Sequence, residues 1–129
     1  MIGRKVTKTL SVSPQIRDQD LAAIAAAGFR TVLCNRPDGE DPDQPAFAVI
    51  AEAAKAHGLT THHQPVISGQ LMEKDVEAFK ALIAELPAPI FAYCRSGTRC
   101  ISLWALAESR ERPITEVLEM AKAAGYDLG

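Results

Sequence analysis

The sequence predicts an α/β domain whose mainly parallel sheet is covered by helices on both faces. Three observations carry that prediction. Short apolar, β-branched runs recur along the chain, and each is followed by a helical pattern, the alternation that builds parallel sheets. The length of 129 residues, with 47% apolar and 23% charged residues, suits one soluble domain with a real core. No low-complexity segment or linker divides it.

After a short extended N-terminal segment, Asp18 to Ala27 reads as a helix, with acids in its first turn and Gly28 as its stop. Phe29 to Cys34 (FRTVLC) reads as a strand running into the polar turn Asn35-Arg-Pro-Asp-Gly-Glu40. Gln44 to His57 is an Ala-rich helical pattern closed by Gly58. Leu59 to Val66 (LTTHHQPV) is a second strand, with Gly69 in the loop beyond it. Met72 to Leu86 is amphipathic, with apolar residues at 72, 76, 79, 82, 83 and 86, and Pro87 and Pro89 end it. Pro89 to Tyr93 is a third strand. Thr98 to Ser109 is a helix apolar almost all round, which places it in the interior. A last helix runs from Ile114 to Ala124. Ligands of such folds bind beyond the carboxyl ends of the strands, here the loops 35–43, 67–71 and 94–99.

The last of these loops carries the chemistry. In Ile90-Phe-Ala-Tyr-Cys94-Arg-Ser-Gly-Thr-Arg99-Cys100 an apolar strand ends in a cysteine and a polar turn opens a helix. Unpaired N–H groups and the helix dipole favour negative charge there, and successive N–H groups form an anion nest. Arg99 returns to the same point with a planar fork of donors, and Arg95 adds a second positive charge. These effects lower the thiol pKa and make Cys94 a reactive thiolate. Gly97 suits a loop that needs an unusual backbone angle.

"CRSGTR" resembles the six-residue active-site loop of rhodanese-type sulfurtransferases. Tyrosine and dual-specificity phosphatases use a loop one residue longer. The surrounding chain, with "NRPDGE", "HHQPVISG" and "RPITEVLEMAKAAGYDLG", resembles instead the phosphatase-like domain found alone or fused in β-lactamase-hydrolase-like proteins, a family linked to sulfide and persulfide metabolism. That resemblance covers nearly the whole chain. It implies a three-layer α/β/α fold like that of protein tyrosine phosphatases, carrying a rhodanese-length loop. It further implies Cys94 as nucleophile, with Arg99 and the N–H groups of Arg95, Ser96, Gly97 and Thr98 holding a small anionic substrate (thiosulfate, a persulfide or a phosphate ester). No cofactor or metal is implied, and a persulfide-dioxygenase-like partner is.

Sulfur transfer and phosphate ester hydrolysis need different helpers. A phosphatase protonates its leaving group with an aspartate from a neighbouring loop. By resemblance that acid belongs in Ile67-Ser-Gly-Gln-Leu71, which holds no carboxylate. Glu73 and Asp75 begin the next helix, and Asp38 and Glu40 are alternatives from the first loop. The short loop and the missing aspartate favour sulfur transfer through a Cys94 persulfide. Phosphatase action through a phosphocysteine is the alternative, and a non-catalytic redox or anion sensor a third reading.

Cys100 stands where both superfamilies place a serine or threonine. It reads as a small replacement in a buried helix start, or as a thiol that resolves an oxidised Cys94. Cys34 reads as core. His62 and His63, adjacent on a strand, point to opposite faces and cannot share a metal. Arg36 either contacts substrate or braces its loop. A net charge of −2 offers no general basis for nucleic-acid binding. No apolar run reaches the roughly 20 residues of a membrane span, and MIGRKVTKTL lacks the apolar core of a secretory signal. Cytoplasmic residence is the expectation, and three cysteines in a reducing compartment read as core thiols, ligands or catalysts.

Overall fold

The computed structural model describes residues 3–129; Met1 and Ile2, the start of the N-terminal segment, lie outside the described residues. Five strands form one sheet: β1 (Arg4–Lys5), β2 (Leu10–Ser13), β3 (Thr31–Cys34), β4 (Thr60–His63) and β5 (Ile90–Tyr93). Their spatial order is β1-β2-β5-β3-β4. All neighbours are parallel except the β1–β2 pair at one edge. The extended N-terminal segment expected from the sequence contributes two strands, and β2 lies directly beside β5. Its four residues are all buried.

Five α-helices follow: α1 (Leu21–Ala26), α2 (Phe47–Ala56), α3 (Glu73–Glu85), α4 (Thr98–Glu108) and α5 (Ile114–Ala123). The predicted first helix is a 3-10 turn over Asp18–Asp20 that leads into α1. The sheet divides the core in two because strand side chains alternate between faces. On one side, Val32, Cys34, Phe91 and Tyr93 pack with Leu21 and Ile24 of α1 and Ile50 and Ala54 of α2. On the other, Leu10, Val12, Leu33, Ile90 and Ala92 pack with Val76 and Phe79 of α3 and most of α4. The result is the predicted three-layer α/β/α arrangement.

Helix α4 is the central one, packed against α3, α5 and β2. Ile101, Leu103, Trp104, Ala105 and Ala107 are buried, whereas Leu106 is half exposed, so one stripe of this helix faces solvent after all. β5 lies between β2 and β3, so its carboxyl end opens at the middle of the sheet edge. The loop 94–97 leaves from that point. Among the described residues no helix is long and apolar enough to cross a membrane.

Candidate active site

Backbone bonds from both neighbouring strands fix where β5 ends. The Cys94 N–H donates to the Ser13 carbonyl at 3.2 Å, and the Asn35 N–H donates to the Tyr93 carbonyl at 2.9 Å. The Gln15 N–H then donates to the Arg95 carbonyl at 3.1 Å. The chain turns at Gly97, whose φ of 93° is a left-handed conformation that glycine adopts without strain. Helix α4 starts at the next residue. Tyr126, from the segment after α5, donates its hydroxyl to the Ser96 carbonyl at 3.0 Å and clasps the loop from outside.

Cys94 is fully buried in the ring this loop makes. The Gly97 N–H donates to its sulfur at 3.1 Å. The Cys100 thiol, together with the N–H groups of Cys100, Gly97 and Arg99, outweighs the cost of burial and holds the Cys94 thiol at about 5. Cys100 is itself pushed well above the ordinary thiol range by burial and by its bond to Cys94. It therefore keeps its proton and donates it, as a hydroxyl at that position would. All three cysteines are free thiols. Cys34 lies in the opposite half of the core, its thiol donating to the Arg36 carbonyl at 3.3 Å, and burial raises its pKa.

Arg99 is 7% exposed, and its guanidinium is divided between two tasks. Its end-on fork is taken by Glu40: Nη1 donates to Oε2 at 2.7 Å and Nη2 to Oε1 at 2.8 Å. Nη1 also donates to the Val66 carbonyl at 3.0 Å. A guanidinium has five N–H groups, so the parallel pair on Nε and Nη2 is left for an anion. Two neighbouring loops thus hold Arg99 through Nη1 and Nη2, and its Nε–Nη2 edge has no partner among the described residues.

Arg36, expected as a substrate contact or a loop brace, is the brace. It is 2% exposed, and its Nε donates to Glu40, its Nη2 to Asp41 and its Nη1 to the Gln15 side chain at 2.8, 2.8 and 3.0 Å. His63 Nε2 donates to the Arg36 carbonyl at 2.8 Å, and its ring stacks on Phe47, while His62 is exposed on the other face. Arg36 and Arg99 share the Glu40 carboxylate and lower it to about 2, with the Arg99 hydrogen bonds foremost. Glu40 is ionised at neutral pH and holds no proton to give. Of the other acids considered, Asp38 caps α2 by accepting the Phe47 N–H at 2.8 Å, Asp75 accepts the Met72 N–H at 2.9 Å, and Glu73 pairs with Arg110.

A cavity of about 570 Å³ opens over this loop, lined by Ser68, Gly69 and Leu71 across from Arg95, Ser96, Thr98, Arg99 and Ser102. Arg95 is 70% exposed at its side chain, with its Nε 3.7 Å from Asp41. Ser96 donates to the Thr98 hydroxyl at 3.0 Å. The structure thus gathers Cys94, Arg95, Ser96, Gly97, Thr98, Arg99 and Cys100 at one point and moves Arg36 to a supporting layer. Sequence reasoning passed over Gln15, Asp41 and Tyr126, and weighed Glu40 only as an acid. Only Glu40 carried a signal, as the carboxylate closing the "NRPDGE" turn at the same sheet edge as Arg99.

The family model described as the phosphatase-like domain of β-lactamase hydrolase-like protein matches residues 3–111. Beta-lactamase hydrolase-like proteins of Agrobacterium fabrum and Xylella fastidiosa are 32% and 34% identical to the chain over 126 residues, 96% of its length and 29% of theirs. The chain spans under a third of those relatives. A crystal structure of a candidate phosphatase from Neisseria meningitidis matches with a TM-score of 0.91 and 41% identity, covering 99% of this chain and 92% of that one. Tk-PTP in its active form and P. aeruginosa TpbA in complex with pTyr match at TM-scores of 0.72 and 0.62. With 14% and 16% identity over 97% and 95% of this chain, and 85% and 80% of theirs, these two show a shared fold only.

Proposed function

This chain belongs to the family of phosphatase-like domains of β-lactamase hydrolase-like proteins, and from that premise we propose that it hydrolyses phosphate monoesters through a Cys94 phosphocysteine. One observation carries the proposal: a buried thiol held at about 5 lies in a ring of N–H donors, beside an arginine whose Nε–Nη2 edge has no partner among the described residues. That arrangement suits a tetrahedral oxyanion. The N–H groups and Arg99 take the non-bridging oxygens, and the thiolate attacks phosphorus in line with the ester oxygen. The same donors are worth more as charge builds in the transition state than in the bound substrate. Cys100 stabilises the thiolate that leaves when water cleaves the phosphocysteine. Turnover of p-nitrophenyl phosphate tests this. The wild type turns over, Cys94→Ser is inactive, and Arg99→Lys loses roughly a hundredfold or more in kcat/KM, because a point charge cannot reproduce the fork. Full activity in Cys94→Ser would refute it.

This order reverses the one drawn from the sequence. Sulfur transfer through a persulfide keeps two observations in its favour, the five-residue step from Cys94 to Arg99, shorter than in tyrosine phosphatases, and the lack of a carboxylate in Ile67-Ser-Gly-Gln-Leu71. The family model and the structural neighbours carry phosphatase names, and none of them speaks for persulfide chemistry. Thiosulfate, with sulfur bound to Cys94 as the readout, tests this second reading. A persulfide-dioxygenase-like partner belongs to the same reading, while cytoplasmic residence is proposed for either reaction.

A further inference from the structure

No carboxylate lines the cavity over the cradle: those nearest it are engaged elsewhere, and Asp43, exposed at the end of the first loop, lines a separate pocket with Gln15, Arg36 and Asp41. Glu40 is clamped between Arg36 and Arg99, and Asp41 accepts from Arg36 at 2.8 Å with Arg95 3.7 Å away. Asp38 caps α2, Asp75 caps α3, and Glu73 is drawn to Arg110. The wall facing the cradle across the cavity is supplied by Ser68, Gly69 and Leu71, and the near wall adds only Ser96, Thr98, Ser102 and two arginines. Hydroxyls and guanidinium groups are far too weak as acids to protonate a leaving oxygen at neutral pH.

We infer that the site acts on phosphate monoesters whose leaving group departs as an anion without being protonated. The substrate class is aryl phosphates of acidic phenols, and it excludes alkyl esters such as phosphoserine. This rests on the phosphoryl-transfer reading and narrows it. In the first step the Cys94 thiolate forms the S–P bond as the P–O bond breaks. The ester dianion and thiolate become phosphocysteine dianion and the free oxyanion, with no proton moved. In the second step water attacks phosphorus, the S–P bond breaks with its electron pair returning to Cys94, and dihydrogen phosphate leaves. Arg95, largely exposed on the cavity wall, offers the departing anion a positive charge in place of a proton.

The test is a series of aryl phosphates graded by the acidity of the phenol, with phosphoserine as the alkyl member. Each is followed by rapid-quench detection of phosphocysteine and by kcat/KM. The expected result is a fall of about tenfold in kcat/KM for each unit rise in the leaving group's pKa, the Brønsted limit without acid assistance, and no turnover of phosphoserine. A flat dependence, or phosphoserine cleaved as fast as an aryl ester, with phosphocysteine still forming, overturns the inference alone. If no phosphocysteine forms even from the most acidic phenol's ester, the phosphoryl-transfer reading fails, and the inference falls with it.

Discussion

A single thiol sets the working pH of this site. Held at about 5 by the Cys100 thiol and three backbone N–H groups, Cys94 is a thiolate through the neutral range. Its deprotonated fraction is about one half at pH 5 and nearly complete by neutral pH. Titration of the thiolate's ultraviolet absorbance should show an inflection near 5 in wild type, which Cys94→Ser removes. Cys100→Ser keeps a donor and leaves the inflection near 5; Cys100→Ala removes it and moves the inflection up. Glu40 works through Arg99 as a positioning residue. Glu40→Gln offers one oxygen where two were bonded, so Arg99 loses its end-on clamp. The expected loss is about ten- to a hundredfold in kcat/KM, with the Cys94 inflection unchanged, which separates misplacement of Arg99 from damage to the thiolate. The pH dependence of stability has a fixed sign. Because the folded protein holds Glu40 at about 2, below its ordinary 4.5, this carboxylate's contribution is full above about 4.5. It is lost as pH falls toward 2. Acid unfolding of Glu40→Gln should lack that component.

At the scale of elements, the cradle loop is held from three sides: the segment after β2 through Gln15, the β3–α2 loop through Glu40 and Asp41, and the C-terminal segment through Tyr126. Gly97 is the pivot of that clasp. A Cβ there would collide with the Tyr126 hydroxyl while the backbone sits at a positive φ, so Gly97→Ala is strained on two counts. It should lower both melting temperature and kcat/KM. Tyr126→Phe removes only the bond to Ser96, and its cost should be a smaller fall in kcat/KM with the melting temperature nearly kept. The elements themselves were legible because their signals are local. Gly28 and Gly58 close α1 and α2 with positive φ, as their places after apolar periodic runs suggest. β2 was hidden, since LSVS is short and its partner β5 lies some 80 residues on. The sequence leaves Arg36 open between two roles for the same reason. Its acceptors Glu40 and Asp41 are local, but the demand for them is set by Arg99, 63 positions away. A loop residue's partners across the sheet edge cannot be read from its neighbours in sequence.

For the molecule as a whole, the sheet separates two cores, and only one of them touches the thiolate. Cys94 and Cys100 belong to the half packed by α3, α4 and α5, with Phe79 and the lone tryptophan, Trp104, fully or nearly buried in it. Ile50 belongs to the half under α1 and α2. Phe79→Ala should cost about 3–5 kcal/mol and Ile50→Ala about 2–5 kcal/mol. The two losses should add within about 0.5 kcal/mol, because the two residues belong to separate clusters of the core. Equilibrium unfolding followed by Trp104 fluorescence checks this. The alternation of strands and helices made this architecture readable in advance, and Cys94 with Arg99 was readable as a pair from their spacing. The choice of reaction was not, because loop length and a missing aspartate argue for sulfur while the fold and family argue for phosphate. What decides between them is the atom that Cys94 carries at mid-reaction. The most direct measurement is mass spectrometry of the intact protein, acid-quenched within one turnover of an aryl phosphate and, separately, of thiosulfate. A phosphoryl group on Cys94 from the aryl phosphate, absent in Cys94→Ser, is the predicted result. A thiosulfate-derived sulfur on Cys94 with no phosphoryl adduct from any ester would contradict it.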